Sequence, residues 1–252
     1  MRKYRFSANT GFLWRELPFL ERVRRASASG FDAVEFHDEA QAADLAELRD
    51  VLAEASLPVL GLNVRMGDTA GCAAVPEMAE QARRDIDAAV AVAHRIGAGT
   101  VHVLAGKTDA AEARAAYVEA LRHALDVSEL TILIEPISRV AMPGYFLHDL
   151  DQGADVIAEV DHPRLKLLFD CFHVETEHGD VLARFRAHAA HVGHVQIASF
   201  PDRREPFPGA LDYGELLPSF QEAGYAGHFG CEYKPTATVE EGLGWRAGFI
   251  RD

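Results

Sequence analysis

Apolar residues along this 252-residue chain follow two alternating periods. Short runs rich in β-branched and aromatic residues occupy 4–9, 31–37, 58–65, 100–106, 131–137, 165–170, 194–199 and 228–234, and read as strands. Longer stretches with helical spacing follow each of them, at 16–28, 41–55, 75–97, 110–126, 149–160, 180–190, 213–223 and 238–250. The clearest helix is 75–97, where Val75, Met78, Ala82, Ile86, Ala89, Val90, Ala93 and Ile96 line one buried face. Gly30, Gly97 and Gly224 stand where helices should stop.

Eight strand–helix units in 252 residues come to about 31 residues each, the size of a βα repeat. Strict alternation predicts an α/β fold with a parallel sheet. Eight units favour closure into a single (β/α)8 TIM barrel over an open doubly wound sheet. No linker rich in Gly, Ser or Pro interrupts the pattern, so 1–252 is expected to form one domain. The irregular stretches 66–74 and 200–212 both follow strands, which places them on the face where such barrels carry their chemistry.

Composition and charge narrow the partners. With 48% hydrophobic and 25% charged residues, a disordered or fibrous chain is excluded. A formal net charge of −14 repels phosphate backbones and anionic membranes, so the expected partner is a small-molecule substrate, not nucleic acid or membrane. Cys72, Cys171 and Cys231 are odd in number and far apart, which suits free thiols in a reducing compartment. The start, MRKYRFSANTGF, lacks the apolar run of a signal peptide, and no run of 18 apolar residues occurs anywhere. A cytoplasmic protein is the expectation. Barrels of this size often form homo-oligomers, and no interface is marked in the sequence.

The candidate chemistry lies at the ends of the last four strands. Glu135 follows Leu133-Ile134, Asp170 follows Leu168-Phe169, Gln196 lies within His194-Val195-Gln196-Ile197, and Glu232 follows Gly230-Cys231. A carboxylate in an apolar strand must be paired, protonated or bound to a cation. Taken singly, each has an ordinary explanation. Asp170 could cap a turn, Gln196 could be a satisfied core residue, and Lys234 could be a snorkelling surface lysine. Taken together, three acids and an amide on consecutive strands point to an all-oxygen site for Mg²⁺ or Mn²⁺. His194 and His102 read as hydrogen-bonded core histidines, and Cys171 and Cys231, adjoining proposed ligands, as buried small hydrophobes. There is no GxxxxGK[ST], HExxH or GxSxG, and Gly97-Ala98-Gly99 precedes a strand, so it makes no dinucleotide site.

These tracts resemble the hydroxypyruvate isomerase family, within the xylose-isomerase-like group of metal-dependent barrels. The likeness rests on Leu133-Ile134-Glu135-Pro136-Ile137, Phe169-Asp170 with His173, Gly193-His194-Val195-Gln196-Ile197-Ala198 and Gly230-Cys231-Glu232-Tyr233-Lys234-Pro235. The opening Arg5-Phe6-Ser7-Ala8-Asn9 and Gly106-Lys107 fit as well, so the resemblance spans almost the whole chain. Glutamine on the seventh strand is its more specific part, since related sugar epimerases tend to have histidine there.

The resemblance implies that Glu135, Asp170, Gln196 and Glu232 hold a divalent metal. It implies that Glu135 and Glu232 transfer protons, with His173, Arg203 and Lys107 near the substrate. The implied reaction is aldose–ketose isomerisation of hydroxypyruvate and 2-hydroxy-3-oxopropanoate (tartronate semialdehyde) through an enediolate. One loop departs from the family pattern HRGEPGTGE. Here it reads Asp202-Arg203-Arg204-Glu205-Pro206-Phe207-Pro208-Gly209-Ala210, and Ser199 stands where Asp is usual. That departure keeps open a 2-oxo-tetronate isomerase or a ketose 3-epimerase on the same site. A metal-dependent endonuclease would want a histidine-rich site and a basic face. A sugar-binding barrel would not need two opposed glutamates.

Overall fold

The computed structural model describes residues 4–250. Eight parallel strands follow one another around a closed barrel: β1 (Phe6–Asn9), β2 (Ala33–Phe36), β3 (Val59–Asn63), β4 (Thr100–His102), β5 (Thr131–Ile134), β6 (Leu165–Asp170), β7 (Val192–Ile197) and β8 (Phe229–Cys231). The ring closes where β8 pairs with β1, with Ser7 opposite Gly230 and Ala8 opposite Cys231. The principal outer helices are α1 (Phe19–Ala28), α2 (Leu45–Ala55), α3 (Ala79–Ile96), α4 (Ala113–Asp126), α5 (Leu150–Val160), α6 (Cys171–His178), α7 (Val181–His188) and α8 (Tyr213–Glu222). The short α9 (Val239–Gly242) and α10 (Ala247–Ile250) follow β8. Among the described residues no helix is long and apolar enough to cross a membrane.

Local chemistry sets the element ends. Asp44 and Asp149 cap α2 and α5, each accepting two backbone N–H groups of the first turn. Gly97, at φ +71°, ends α3 in the left-handed region that glycine enters without a Cβ clash. Pro18 precedes α1, which therefore starts at Phe19 and not at 16. Most strands stop sooner than the apolar runs suggest. β5 ends at Ile134 because Pro136 has no N–H to give the ladder. Glu135 and Glu232 consequently stand one residue beyond their strands, at the rim of the barrel.

One helix departs from the sequence expectation. α6 begins at once after β6, where the apolar pattern of Cys171–His178 is too weak to announce a helix. Its cap is Asp170, whose Oδ1 accepts the Phe172 N–H at 2.8 Å. The turn-capping role expected of Asp170 is therefore filled, and it uses Oδ1.

Side-chain alternation divides the strands into a dry outer face and a polar interior. Phe169 of β6 points outward onto Phe185 of α7 and Phe220 of α8, with ring centroids 5.2 and 6.1 Å away. Its neighbours Leu168 and Asp170 therefore face the barrel axis. Barrel interiors are usually filled by bulky branched side chains. This one instead holds Ser7, Glu35, His194, Gln196 and Gly230 in contact, around a cavity of about 330 Å³ that Asn9, Asn63 and His102 also line.

Candidate active site

At the rim, Glu135, Asp170 and Glu232 are all buried. Glu135, Asp170 and His173 each bring one candidate ligand atom within 4.8 Å of the others. His173 comes from the first turn of α6, so the unanticipated helix is what delivers it. Its Nε2 lies 3.8 Å from Glu135 Oε1 and 3.7 Å from Asp170 Oδ2. Gln196 stands beside Asp170 in the β6–β7 register.

Arg203 ties the remaining acid to this group. Its Nη2 donates to Asp170 Oδ2 at 2.7 Å and also to Glu232 Oε2. Its Nη1 lies 3.2 Å from His173 Nε2. The guanidinium is held between the rings of Phe12 and Phe172, at 4.6 and 5.0 Å from their centroids. The backbone at Arg203 is left-handed, φ +51°, in a turn closed by Ser199, whose Oγ accepts the Arg204 N–H at 2.9 Å. The altered loop thus still delivers an arginine to the acids. Glu205 secures its far side by accepting from the N–H and hydroxyl of Thr236.

Two further residues hold Glu232. Asn9 Nδ2 donates to its Oε1 at 3.0 Å, and His37 Nε2 lies 3.3 Å from the same oxygen. The glutamates are driven apart electrostatically. Burial, with Glu232 and Asp170 nearby, raises Glu135 well above the usual carboxylate range. Burial also raises Asp170, against the pull of Arg203. For Glu232 burial again pushes upward, but Arg203 and the His37 hydrogen bond outweigh it and hold the group low. His173 is depressed to about 4, chiefly by burial, so it is neutral near pH 7.

Among the proposed ligands, Glu135 Oε1 and Gln196 Oε1 are buried oxygens with no hydrogen-bond partner. Unpaired buried acceptors are costly and call for a donor or a cation. Three carboxylates and an amide oxygen are hard donors suited to a divalent ion, and a neutral imidazole can add a nitrogen. The residues present therefore fit a metal: Glu135, Asp170 and His173 could hold one, with Gln196 and Glu232 nearby.

The match to the Xylose isomerase-like TIM barrel profile runs over residues 23–249. The chain belongs to this family. A 2-oxo-tetronate isomerase of Cupriavidus necator is 40% identical, over 98% of both chains. Hydroxypyruvate isomerase of Escherichia coli is 35% identical, over 96% of this chain and 97% of its own. Among solved structures, AP endonuclease, family 2, of Brucella melitensis superposes with a TM-score of 0.94 at 32% identity, over the full length of both chains. A 3-keto-D-glucoside 4-epimerase of E. coli shares the fold, with a TM-score of 0.82 at 18% identity.

Of the seven residues expected at a xylose isomerase-like site, the structure gathers six. Glu135, Asp170, His173, Arg203 and Glu232 interlock directly, and Gln196 lies beside Asp170. Lys107 is exposed on the segment after β4, where its backbone pairs with Tyr145. Lys234 is also exposed, as a surface lysine would be. His194 and His102 are hydrogen-bonded core histidines, on Glu35 at 3.0 Å and Asn63 at 3.2 Å. Cys171 and Cys231 are fully buried. Sequence reasoning passed over Asn9, Glu35 and His37. The signal for Glu35 was present, an acid inside the apolar run Ala33-Val34-Glu35-Phe36. Asn9 and His37 carry no such mark, because polar residues commonly end strands.

Proposed function

We propose that the protein is a divalent-metal-dependent isomerase that moves a carbonyl between C2 and C3 of a small hydroxy-2-oxo acid. Hydroxypyruvate, exchanged with tartronate semialdehyde, is the first substrate reading. The observation that carries it is the pair of buried glutamates pushed in opposite directions, Glu232 held ionised and Glu135 held toward its acid form. Such a split assigns a base and an acid within one site.

Glu232 takes the proton from C3, fixed for that by Asn9, His37 and Arg203. The electrons move into an enediolate, and Glu135 returns a proton at C2. The C3 hydroxyl proton passes to the C2 oxygen, so no redox partner is needed. A divalent cation at Glu135, Asp170, Gln196 and Glu232 would act as a Lewis acid, stabilising the charge that grows on the two substrate oxygens. Arg203 provides N–H donors at the same mouth for the substrate carboxylate, with His173 beside it accepting from the guanidinium. Arg203 also sets a fixed positive charge between Asp170 and Glu232.

The second reading is a four-carbon substrate, 2-oxo-tetronate. It needs the same C2–C3 transposition, and two observations favour it: the 40% identical relative and the altered 199–210 loop over the mouth. The endonuclease reading has less support, because the donors are mainly carboxylates and the net charge is −14.

The test is Glu232→Gln followed by solvent deuterium incorporation into substrate carbon, with both acids as substrates. Incorporation should vanish while the fold is retained, and the better substrate should show the higher kcat/KM in the unaltered protein. Near-normal exchange in the variant would remove Glu232 as the base. Full activity after exhaustive chelation would remove the metal.

A further inference from the structure

Glu35 lies below the rim, and nothing in the reaction above uses it. It is buried inside the barrel, on a strand remote in sequence from the proposed ligands. Its Oε1 accepts from Ser7 Oγ at 2.9 Å. Its Oε2 is 3.0 Å from both His194 Nε2 and Gln196 Nε2. The Gln196 amide N–H donates to Oε2, so the nitrogen end of that amide is the one turned toward Glu35. The other end of that amide is then its oxygen. It is buried and unpaired, on a residue beside Asp170 in the sheet.

We propose that Glu35 is a positioning residue that turns the Gln196 carbonyl oxygen toward the metal, an inference that rests on the metal reading above. A free amide can present either end to a cation, and only the oxygen ligates. Anchoring the nitrogen on a fixed carboxylate removes the wrong orientation before the metal arrives. The same device orients metal-ligating histidines, whose second ring nitrogen donates to a carboxylate.

The surroundings are shaped for this contact. Gly230 faces Glu35, and a Cβ there would lie 2.2 Å from Glu35 Oε1 and 2.9 Å from both Gln196 Cγ and His194 Nε2.

The experiment measures Mn²⁺ affinity by electron paramagnetic resonance, alongside thermal melting of the metal-free protein. Glu35→Met keeps the length but removes the acceptor, and should weaken Mn²⁺ binding about 10- to 100-fold. Glu35→Asp withdraws the carboxylate by one methylene and should also weaken it; it serves if the methionine variant does not fold. Glu35→Gln can still offer an oxygen to Gln196 and an amide to Ser7, and should bind within about threefold of the unaltered protein. All variants within about threefold would overturn the proposal, as would Glu35→Gln falling as far as Glu35→Met. If the unaltered protein binds no Mn²⁺, it is the metal reading that fails.

Discussion

Replacing Arg203 by methionine tests the electrostatic core of the site. Methionine keeps an unbranched chain between Phe12 and Phe172 and is not β-branched, so the left-handed backbone, φ +51°, costs no more than before. What is lost is the cation that bridges Asp170 and Glu232. Their side chains are only 1% and 9% exposed, so solvent cannot take its place. Removing one partner of a buried ion pair costs about 3–5 kcal/mol. That is a large share of the roughly 5–15 kcal/mol that holds a domain folded. Protonation offers an escape, and this gives the effect a pH signature. In the unaltered protein Glu232 is held low, so its contribution is present above the ordinary glutamate pKa and is lost as pH falls through its folded value. Without Arg203, Glu232 joins Glu135 and Asp170 as a raised carboxylate, whose penalty grows as pH climbs above the unfolded value. The stability gap between the two proteins should therefore be widest near about pH 8 and narrow toward about pH 5. Urea unfolding at both pH values, with and without Mn²⁺, measures it, and the metal should recover part of the loss. A gap below about 1 kcal/mol at both pH values would refute the argument, since it would match an exposed pair.

Three further outcomes follow from the same geometry. Because Glu135 and Asp170 are raised, Mn²⁺ must displace protons, so its affinity should climb as pH rises from about 5 to 8, and calorimetry in buffers of different ionisation enthalpy should detect proton release. Asn9→Leu removes a donor to Glu232 Oε1 and the acceptor of the Gly11 N–H, so kcat should fall about tenfold with KM little changed, and a drop confined to KM would contradict the assigned role. Gly230→Ala places a methyl 2.2 Å from Glu35 Oε1 and should cost about 1–3 kcal/mol by overpacking, read as a lower melting temperature; an unchanged melt would show that the interior is looser than described.

Much of the site was legible before folding because the chain advertises buried polarity locally. Glu135, Asp170, Gln196 and Glu232 each interrupt or close an apolar run, and a run of that kind has few ways to accommodate an acid. Asp170 shows where local reading stops. Its capping chemistry was visible in the residue type, but α6 was not, since Cys171–His178 has almost no apolar face of its own. With α6 unseen, the route by which His173 reaches Glu135 was unseen too. Lys107 was placed by sequence pattern alone, and its side chain is exposed.

The eight-unit rhythm and the four oxygen donors at the ends of the last four strands belong to the sequence alone. They are set by spacing within about ten residues, the range over which hydrophobic periodicity operates. The remainder depends on closing the ring. Pairing of β8 with β1 brings Asn9 to Glu232 across 223 residues, and the barrel interior brings Glu35 to His194 and Gln196 across 159 and 161. Which end of Gln196 meets Glu35, what holds Glu232 and what Arg203 touches are all consequences of such contacts. No local pattern encodes them, because the field and the hydrogen-bond partners at each group come from strands that meet only when the barrel is shut.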